Sequence, residues 1–511
     1  MASVGRRVVL AGACSSVILA VAGCGRKEGS GQRDSEELRI GLPDAGSTLN
    51  PGKAQHSPGN VLRVLAYDSL IRRNPNGSFA PGLASSWRFL GSGNRQFELT
   101  LRQGVKFANG EVVDARSVKA SLEYFLKNSP LASNIGKIDK VEATSGETVL
   151  LYLAEGNPIL PFLLSDQVPA GSVISPQGLA TPSALDTVPA GAGPYVLDPA
   201  GTVANDHYSF VPNRNYYDQS AIKYGKVTVR IIPDDTAMLQ AAMTGQLDVA
   251  YGSLGTADAA EKAGLGLVRA PNSINAMFIE DLAGRLAPQL KDVRVRQAIN
   301  YSIDRETITR ALVRKYGRPT SALVTIDGWA EKYRNYYSFD PEKARALLAE
   351  AGYSNGFTLK VVTSVAQGVN GEQGAQAIAR DLGKVGIKLD VKAATTDSEF
   401  VQEAFSGTTP VLHSEWSVTL MPISYTTLIS PDAPMNTFHV KDGELESLAA
   451  QANVAADPTP YWQKMTERIT EQAMVIPIFT SETILYTSSA VKNVEYSVNM
   501  LHPNPIKWTP Q

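Results

Sequence analysis

The sequence predicts an α/β fold with two lobes and one insertion. Two regions, roughly 190–272 and 273–477, each alternate strand patterns with helix patterns. Residues 71–189 are rich in hairpin patterns and interrupt the first lobe. The 511 residues are 43% hydrophobic, so the chain can bury the cores of two or three domains. Two α/β lobes joined by short crossings leave a cleft between them, which is a favoured place for a small ligand.

The insertion contains a predicted strand, a turn and a helix. The stretch from Phe97 to Leu101 alternates apolar and polar residues, which is typical of a half-buried strand. Asn109-Gly110 is a hairpin-type turn. Asp114 follows, where it can cap a helix whose apolar residues recur at helical spacing.

The first α/β region contains a strand–helix–strand unit. The segment KVTVRIIPDD predicts a strand that ends in an acidic helix start, and AMLQAAMTG predicts the helix itself. Gly245 is placed to end that helix, and LDVAY then predicts the next strand. We expect the crossover in this unit to be right-handed.

The second α/β region repeats the same alternation. Asp340 and Pro341 predict a helix cap and a first-turn proline, and Gly352 marks the end of that helix. FTLKVV predicts the strand that follows. QAIARDLGKVGIKLDV predicts another helix and strand, with Gly386 as the break between them.

The first residues have the pattern of an export signal. Arg6 and Arg7 precede an uncharged run, Val8 to Ala22, which is shorter than the roughly 20 residues that a spanning helix needs. The run ends in Val21-Ala22-Gly23-Cys24, which resembles the lipobox of bacterial lipoproteins. That resemblance implies cleavage after residue 23 and a lipid on the sulfur of Cys24, so residues 1–23 are the predicted signal peptide.

Residues 24–37 are predicted to be a lipidated tether. They are polar, carry both charge signs and reach about 20 Å as a flexible chain. The other cysteine, Cys14, leaves with the signal, so the mature chain has no free thiol for a metal site or a nucleophile. We therefore expect a monomer outside the cytoplasm that touches the membrane only through its lipid.

Charge and motifs exclude several other classes of function. The formal net charge is −2, and loss of Arg6 and Arg7 makes it −4, with no basic block for nucleic acid. GxSxG, Walker and GxGxxG motifs are absent, which argues against an enzyme and against a nucleotide cofactor. No HxH or HExxH spacing occurs among the five histidines, so we expect no metal bound by the protein alone.

Eight segments in order give a family resemblance over residues 38–500. They are FELTLRQGVKFANGEVVDARSVKASLEYF, LAYDSLIRRNPNGSFAPGLASSW, GAGPY, VPNRNYY, LQAAMTGQLDVAYG, VRQAINYSIDRETI, DPEKARALLAEAGY and AMVIPIF. The chain resembles the family 5 extracellular solute-binding proteins, which are receptors of peptide- and nickel-type ABC importers. Most of these segments set turns and cores, so the resemblance indicates a transport receptor without naming its solute.

The resemblance implies a type II, cluster C periplasmic-binding-protein-like fold with an extra inserted domain. It divides the chain into domain I (36–70, 190–272 and 478–511), domain II (71–189) and domain III (273–477). It also implies that hinge closure surrounds the ligand.

The resemblance also suggests which residues contact the ligand. In peptide receptors of the family, a Trp-x-x-Asp segment pairs its carboxylate with the peptide amine. Here the segment is HSEWSVTLMPISY, so Trp416 matches, Ser417 follows, and Thr419 stands at the acid position. A neutral hydroxyl cannot neutralise a desolvated ammonium, which argues against peptides with a free amine unless Glu415 or another acid substitutes.

Two further residues complete the predicted ligand-binding set. Gln55, in the loop from Ser47 to Asn60, stands where peptide receptors of the family can present an acid. His413 is included because relatives bind nickel chelates through histidine, although a packing role is the alternative.

Three hypotheses for the function follow. The first is a lipid-anchored receptor that delivers a peptide-like or related solute to an ABC permease and its ATPase. The second is a ligand sensor for a membrane signalling protein, and the third is an exported hydrolase, which the missing motifs disfavour. The neutral replacements suggest blocked or cyclic peptides, opine-like conjugates, glycosides or oligosaccharides, or metal chelates as solutes.

Overall fold

The computed structural model describes residues 37–323, 329–364 and 371–511. The predicted signal peptide, Cys24 and the tether up to residue 36 lie outside the described residues, so their predictions stay as such. The described part of the chain from residue 37 onward belongs to one compact unit. The boundaries of the three domains therefore also stay a prediction.

Strands supply most of the framework on which the helices pack. The strands in chain order are β1 Glu37–Leu42, β2 Ile71–Arg73, β3 Phe79–Pro81, β4 Ala84–Phe89, β5 Gln96–Leu101, β6 Ile138–Ala143, β7 Thr148–Leu153, β8 Tyr195–Leu197, β9 His207–Pro212, β10 Lys226–Ile231, β11 Val249–Gly252, β12 Gly266–Ile279, β13 Gly317–Pro319, β14 Phe357–Ser364, β15 Ile387–Ala394, β16 Val411–Ser417, β17 Val475–Thr487, β18 Val491–Lys492 and β19 Thr509–Pro510.

Helices connect these strands and cover the sheet. The α-helices in chain order are α1 Asn60–Ala66, α2 Ala115–Asn128, α3 Leu160–Leu163, α4 Pro176–Ala180, α5 Asp235–Met243, α6 Ala257–Lys262, α7 Val293–Tyr301, α8 Arg305–Leu312, α9 Pro341–Glu350, α10 Gly371–Gly383, α11 Asp397–Ala404, α12 Met421–Ser424, α13 Gly443–Val454 and α14 Thr459–Glu471. A π-helical turn, Tyr425–Ile429, directly follows α12.

One large mixed sheet extends through the molecule. Its strand order is β15-β14-β16-β12-β17-β11-β1-β10-β9-β8, and β13 pairs with β17 off this path. The half that contains β1 has parallel pairs of β1 with β10 and with β11. The half that contains β14 has parallel pairs of β14 with β15 and with β16. Each half therefore carries the strand–helix–strand units that the sequence predicts.

Strands β12 and β17 join the two halves of the sheet. They pair antiparallel from Gly266 with Thr487 to Phe278 with Val475. The register shifts between Pro271 and Ser273, because proline lacks the N–H that a continuous ladder needs. Two long strands with an irregularity in the middle are suited to act as the crossing between two lobes.

The insertion forms a smaller antiparallel sheet of its own. Its order is β4-β5-β7-β6, and its inward residues share a core with helix α2. The Asp114 side chain accepts from the Ser117 backbone N–H at 2.8 Å, and the Ser117 hydroxyl lies 3.0 Å from the Asp114 backbone N, which completes a capping box. The predicted strand from Phe97 to Leu101 and the predicted helix after Asp114 are both confirmed.

The predicted helix boundaries of the two α/β regions are also confirmed. Asp234 caps α5, and Asp340 caps α9 with Pro341 in its first turn. Gly245 and Gly352 follow these helices with φ of +73° and +85°, a left-handed conformation that favours glycine. Within the described residues, no helix is both long and apolar enough to cross a membrane.

Candidate functional site

A cavity of about 500 Å³ opens beside strand β1. Most of its wall is one continuous segment, residues 43–63, which we call the cavity loop. Asn205, Ile231 and Pro233 close the remaining side. The volume lies within the range of small-molecule sites, which is roughly 300 to 1,000 Å³.

The position of the cavity follows from the topology of the sheet. The cavity loop leaves the carboxyl end of β1, and Ile231 and Pro233 stand at the carboxyl end of the parallel neighbour β10. The third parallel strand, β11, pairs with β1 on its other side. In open α/β sheets, ligands bind outside the carboxyl ends of the strands where the chain crosses to either side.

Side chains of the insertion, residues 71–189, hold the cavity loop in place. The Thr48 hydroxyl donates to Asp186 at 2.8 Å, and the Lys53 ammonium pairs with the same carboxylate at 2.8 Å. The fully buried Asn50 donates to the Tyr124 hydroxyl at 2.8 Å. These bonds hold the loop in one shape before a ligand arrives, which lowers the entropy cost of binding.

Two glycines let the cavity loop fold back on itself. Gly46 has φ of +74°, a left-handed conformation that side chains rarely adopt. At Gly59, an added Cβ would lie 2.1 Å from the carbonyl oxygen of Ala45. The turn at 45–46 therefore packs directly against the start of α1, and both line the cavity.

Three titratable side chains line the cavity: Asp44, His56 and Arg63. Asp44 is exposed, and its carboxylate accepts from the Gly46 backbone N–H at 2.9 Å. His56 is exposed and lines the cavity, and the protein atoms around its ring together with the charge of Arg63 lower its pKa. At neutral pH the cavity therefore holds one negative group, one positive group and a neutral imidazole.

Sequence reasoning placed Gln55 in this site but missed Asp44, His56 and Arg63. Gln55 is exposed and lines the cavity. A usable signal for Arg63 was present, since it is the one charged residue in the apolar stretch VLRVLA. Asp44 stands two residues after the end of strand β1, which is also a readable sign of a site in an α/β fold.

Trp416 and Ser417 lie at the end of β16, and Thr419 follows that strand. In the described part of the chain, the residues that line the cavity do not include them. Trp416 is half-buried and meets Phe278 edge-on with ring centroids 6.4 Å apart. Ser417 is exposed, whereas Thr419 is buried. Ligand contact by these three residues stays a prediction.

His413 lies in the core rather than in a cleft. It has no exposed surface, its Nε2 lies 3.0 Å from Asn275 Oδ1, and its Nδ1 lies 3.0 Å from the Thr363 hydroxyl. Burial lowers the pKa of His413 to about 4, so the ring is neutral. Both ring nitrogens bond to protein groups, which favours the packing alternative, and ligand contact by His413 stays a prediction.

Glu415, the acid that could replace the missing carboxylate, lies at the crossing strands. Its Oε2 accepts from the Ser273 hydroxyl at 3.0 Å. The backbone N–H of Val418 donates to the Asn272 carbonyl at 2.7 Å, next to Ser273. The segment that carries Trp416 is therefore attached to the junction of β12 and β17.

No group of three or more metal-ligating side chains occurs among the described residues.

Comparisons with known proteins identify the family of this chain. The family model described as bacterial extracellular solute-binding proteins, family 5 Middle, matches residues 78–434. The chain belongs to family 5 of the bacterial extracellular solute-binding proteins. The receptor function that the sequence predicts, in an ABC import system, is confirmed by this match.

Relatives of this family 5 protein bind different solutes. The glutathione-binding protein GsiB of Salmonella paratyphi A is 27% identical over 357 residues, which cover 68% of this chain and 67% of the relative. The nickel-binding periplasmic protein of Escherichia coli K12 is 25% identical over 503 residues, which cover 90% of this chain and 92% of the relative.

Solved structures of the family share the fold. HbpA2 from Haemophilus parasuis has a TM-score of 0.79 at 20% identity and covers 93% of this chain and 100% of its own. NikA from Brucella suis in complex with Fe(III)-EDTA has a TM-score of 0.79 at 22% identity, with the same coverage. The predicted two-lobed α/β fold of this family 5 protein is thereby confirmed.

Proposed function

We propose that this protein is the lipid-anchored receptor of an ABC importer and takes its solute in the cavity beside β1. The observation that supports this site is the cavity itself. Its loop is held in shape by Asp186 and Tyr124, and it opens at the carboxyl ends of β1 and β10. A receptor needs only to bind and release, so the protein performs no chemistry on its solute.

The solute is a small polar molecule of peptide-like size. A cavity of about 500 Å³ accommodates a few residues of peptide or a conjugate of similar bulk. Relatives are named for glutathione and nickel, and a structural neighbour holds agropinic acid. The mixed charges of Asp44 and Arg63 fit a solute that has polar groups at both ends better than they fit an apolar one.

Native mass spectrometry tests this proposal. Protein purified from its own host without unfolding should carry a small-molecule adduct, which partial unfolding removes. Filling the cavity with Asn60→Trp should abolish the adduct, whereas Lys360→Trp on the exposed side of β14 should leave it. An adduct that is retained in full by Asn60→Trp would contradict the proposed site.

The anchor needs its own test because Cys24 lies outside the described residues. Cys24→Ser should stop labelling by a fatty-acid analogue and release the protein from membranes. Continued labelling of that variant would show that the lipobox interpretation is wrong. Deleting the permease, by contrast, should stop uptake of the solute and leave labelling of Cys24 intact. Uptake that continues without the permease would favour the sensor hypothesis.

A further inference from the structure

Asn94 connects the insertion to helix α13 of the second α/β region. Its side-chain amide donates to the carbonyl oxygen of Asn453 at 3.0 Å and to that of Ala455 at 2.7 Å. Asn453 lies in the last turn of α13, and Ala455 is its C-cap residue. Carbonyls at the end of a helix have no donor within the helix, so one amide uses both of its hydrogens to satisfy two of them.

The turn that carries Asn94 is shaped for this contact. It joins β4 to β5, and turns between strands are ordinarily exposed, whereas Asn94 is 8% exposed. Its φ of +54° is a left-handed conformation that asparagine tolerates better than most residues. An added Cβ at Gly156 would lie 2.2 Å from the Gly93 carbonyl oxygen and 2.3 Å from that of Asn453. Three segments of the chain therefore meet here with no room for a further side chain.

The insertion is also bonded to the first lobe, at points spread along its length. Near its start, the Arg73 Nε donates to the Asn499 carbonyl at 2.7 Å. Further on, the Asp166 carboxylate accepts from the Asn504 amide at 2.7 Å, and Asp186 near its end pairs with the cavity loop. These bonds connect the insertion to the segment after β17 and to the loop after β1, so we expect it to move with that lobe.

Helix α13 is held by the other lobe. The Arg468 guanidinium on α14 donates to both carboxylate oxygens of Asp442, the N-cap of α13, at 2.7 and 2.8 Å. Such a bidentate pair fixes orientation as well as distance, so α13 moves with α14. Leu448 and Ala452 of α13 belong to the same buried apolar cluster as the core of the insertion, so apolar packing accompanies the bonds from Asn94.

We propose that Asn94 is a latch, which stabilises the closed receptor from a point outside the solute cavity. Within the described chain, neither Asn94 nor its two acceptors line the cavity beside β1. Because the insertion moves with one lobe and α13 with the other, opening about the crossing strands β12 and β17 breaks both amide bonds. The latch raises the closed fraction, and the apparent affinity for a solute rises with that fraction. This inference rests on the proposed receptor function and adds a device that controls its closure.

The chemistry of the latch suits a contact that breaks in every transport cycle. When the receptor opens, water replaces each amide–carbonyl bond, so the net contribution of each bond is small. Neither group carries a charge, so salt does not screen the contact as it would an exposed ion pair. The latch can therefore delay the release of a solute without preventing it.

Asn94→Gly tests the latch, because glycine adopts a φ of +54° without strain and only the amide is lost. The probe is the small-molecule adduct with which the wild type purifies from its host, called the captured solute. Its loss after dilution, followed by native mass spectrometry, should be at least about 3-fold faster in the variant. Asn493→Gly is the matched control, because Asn493 has a φ of +58° and its amide donates to Thr509 on β19 at 3.1 Å. Equal release rates in the two variants would overturn the latch.

A disulfide at the same place tests the latch without changing Asn94. An ideal Cβ at Gly93 lies 4.0 Å from the Cβ of Val454, within the roughly 3.5–4.5 Å that a disulfide needs. Gly93→Cys with Val454→Cys is made in a Cys14→Ser, Cys24→Ser background, where no other cysteine remains. The φ of +82° at residue 93 strains this variant in both redox states, so the oxidised and reduced forms of one protein are compared.

We expect the disulfide to form in the loaded protein and to slow release of the captured solute at least about 10-fold, because release needs the lobes to open. Dithiothreitol should restore the faster rate. A disulfide that does not form in the loaded protein, or equal release in the two redox states, overturns the latch and leaves the receptor function intact. No adduct in any form, the wild type included, overturns both.

Discussion

The hydroxyl oxygens of Ser273 and Ser481 lie 2.5 Å apart, at the place where β12 and β17 change register. Ser273 also donates to Glu415, so the crossing strands and the strand β16 meet at one hydrogen-bonded point. Two hydroxyls and one carboxylate can exchange partners as the backbone bends, which a continuous ladder cannot do. We therefore expect the receptor to bend at this point.

The first prediction is that solute binding closes the two lobes about this hinge. Small-angle scattering should show a smaller radius of gyration when the captured solute is added to stripped protein. Ser481→Pro removes the Ser481 hydroxyl and places a proline on the central strand, so it should change the amplitude of closure. Identical scattering curves with and without a solute that calorimetry shows to be bound would contradict closure.

The second prediction concerns His413 as a core residue. His413→Ala leaves a cavity and removes the partner of Thr363 and Asn275, so the free energy of unfolding should fall by about 2–4 kcal/mol. Urea titration followed by circular dichroism measures this loss. The affinity of the folded variant for the captured solute should stay within about 3-fold of the wild type, a difference below 1 kcal/mol. A large loss of affinity at intact stability would restore the ligand-contact interpretation.

The third prediction concerns the close contact at Gly59. Any side chain at this position meets the Ala45 carbonyl, so Gly59→Ala should push the turn at 45–46 and change the cavity. We expect at least a 10-fold loss of affinity with a smaller loss of stability. Gly146→Ala is the matched control, because its added Cβ meets nothing within 4 Å and its φ is not positive. Similar affinities of the Gly59→Ala variant and the wild type would show that the contact does not shape the site.

The fourth prediction is a pH dependence of stability that comes from Glu280. This side chain is 2% exposed, its Oε2 accepts from the Thr437 hydroxyl at 2.8 Å, and burial raises its pKa to about 8. The folded state therefore holds a proton that the unfolded state releases between about pH 4.5 and pH 8. Within that window Glu280 makes stability fall as the pH rises, by at most about 1.4 kcal/mol per pH unit.

Glu280→Gln separates this contribution from the rest of the protein. The amide mimics the protonated acid, so the variant should lose that part of the slope between about pH 4.5 and pH 8. Glu350→Gln, a surface substitution with the same charge change, should keep it. Thermal denaturation across the window measures both slopes. An unchanged slope in Glu280→Gln would mean that Glu280 is ionised in the folded state.

Local patterns predicted the fold well because caps and glycines act over a few residues. Asp114, Asp340 and Gly352 each determine a boundary through bonds to their immediate neighbours, and each stands where the sequence placed it. The site was harder to predict from the sequence. Whether Arg63 faces an acid or a cavity depends on Ser172, Asp166 and His502, which lie 103 or more residues away in sequence.

The surroundings of His413 could not be predicted from the sequence for a similar reason. Residue type alone suggested a ligand, but exposure is decided by Thr363 and Asn275 on neighbouring strands. The neutral residues Thr419 and Gln55 suggested a cleft without an acid, and the structure shows an exposed acid, Asp44, lining the same cavity as Gln55. Asp44 is therefore a second acid, besides Glu415, that could pair with a free amine.

The most direct test of the account is a crystal structure of the receptor with the solute that it captures from its host. Native mass spectrometry first establishes that the crystallised sample is loaded. We expect the solute to occupy the cavity and to contact side chains of the cavity loop, residues 43–63. A solute held elsewhere, with the cavity beside β1 filled by water, would show that the proposed site is wrong.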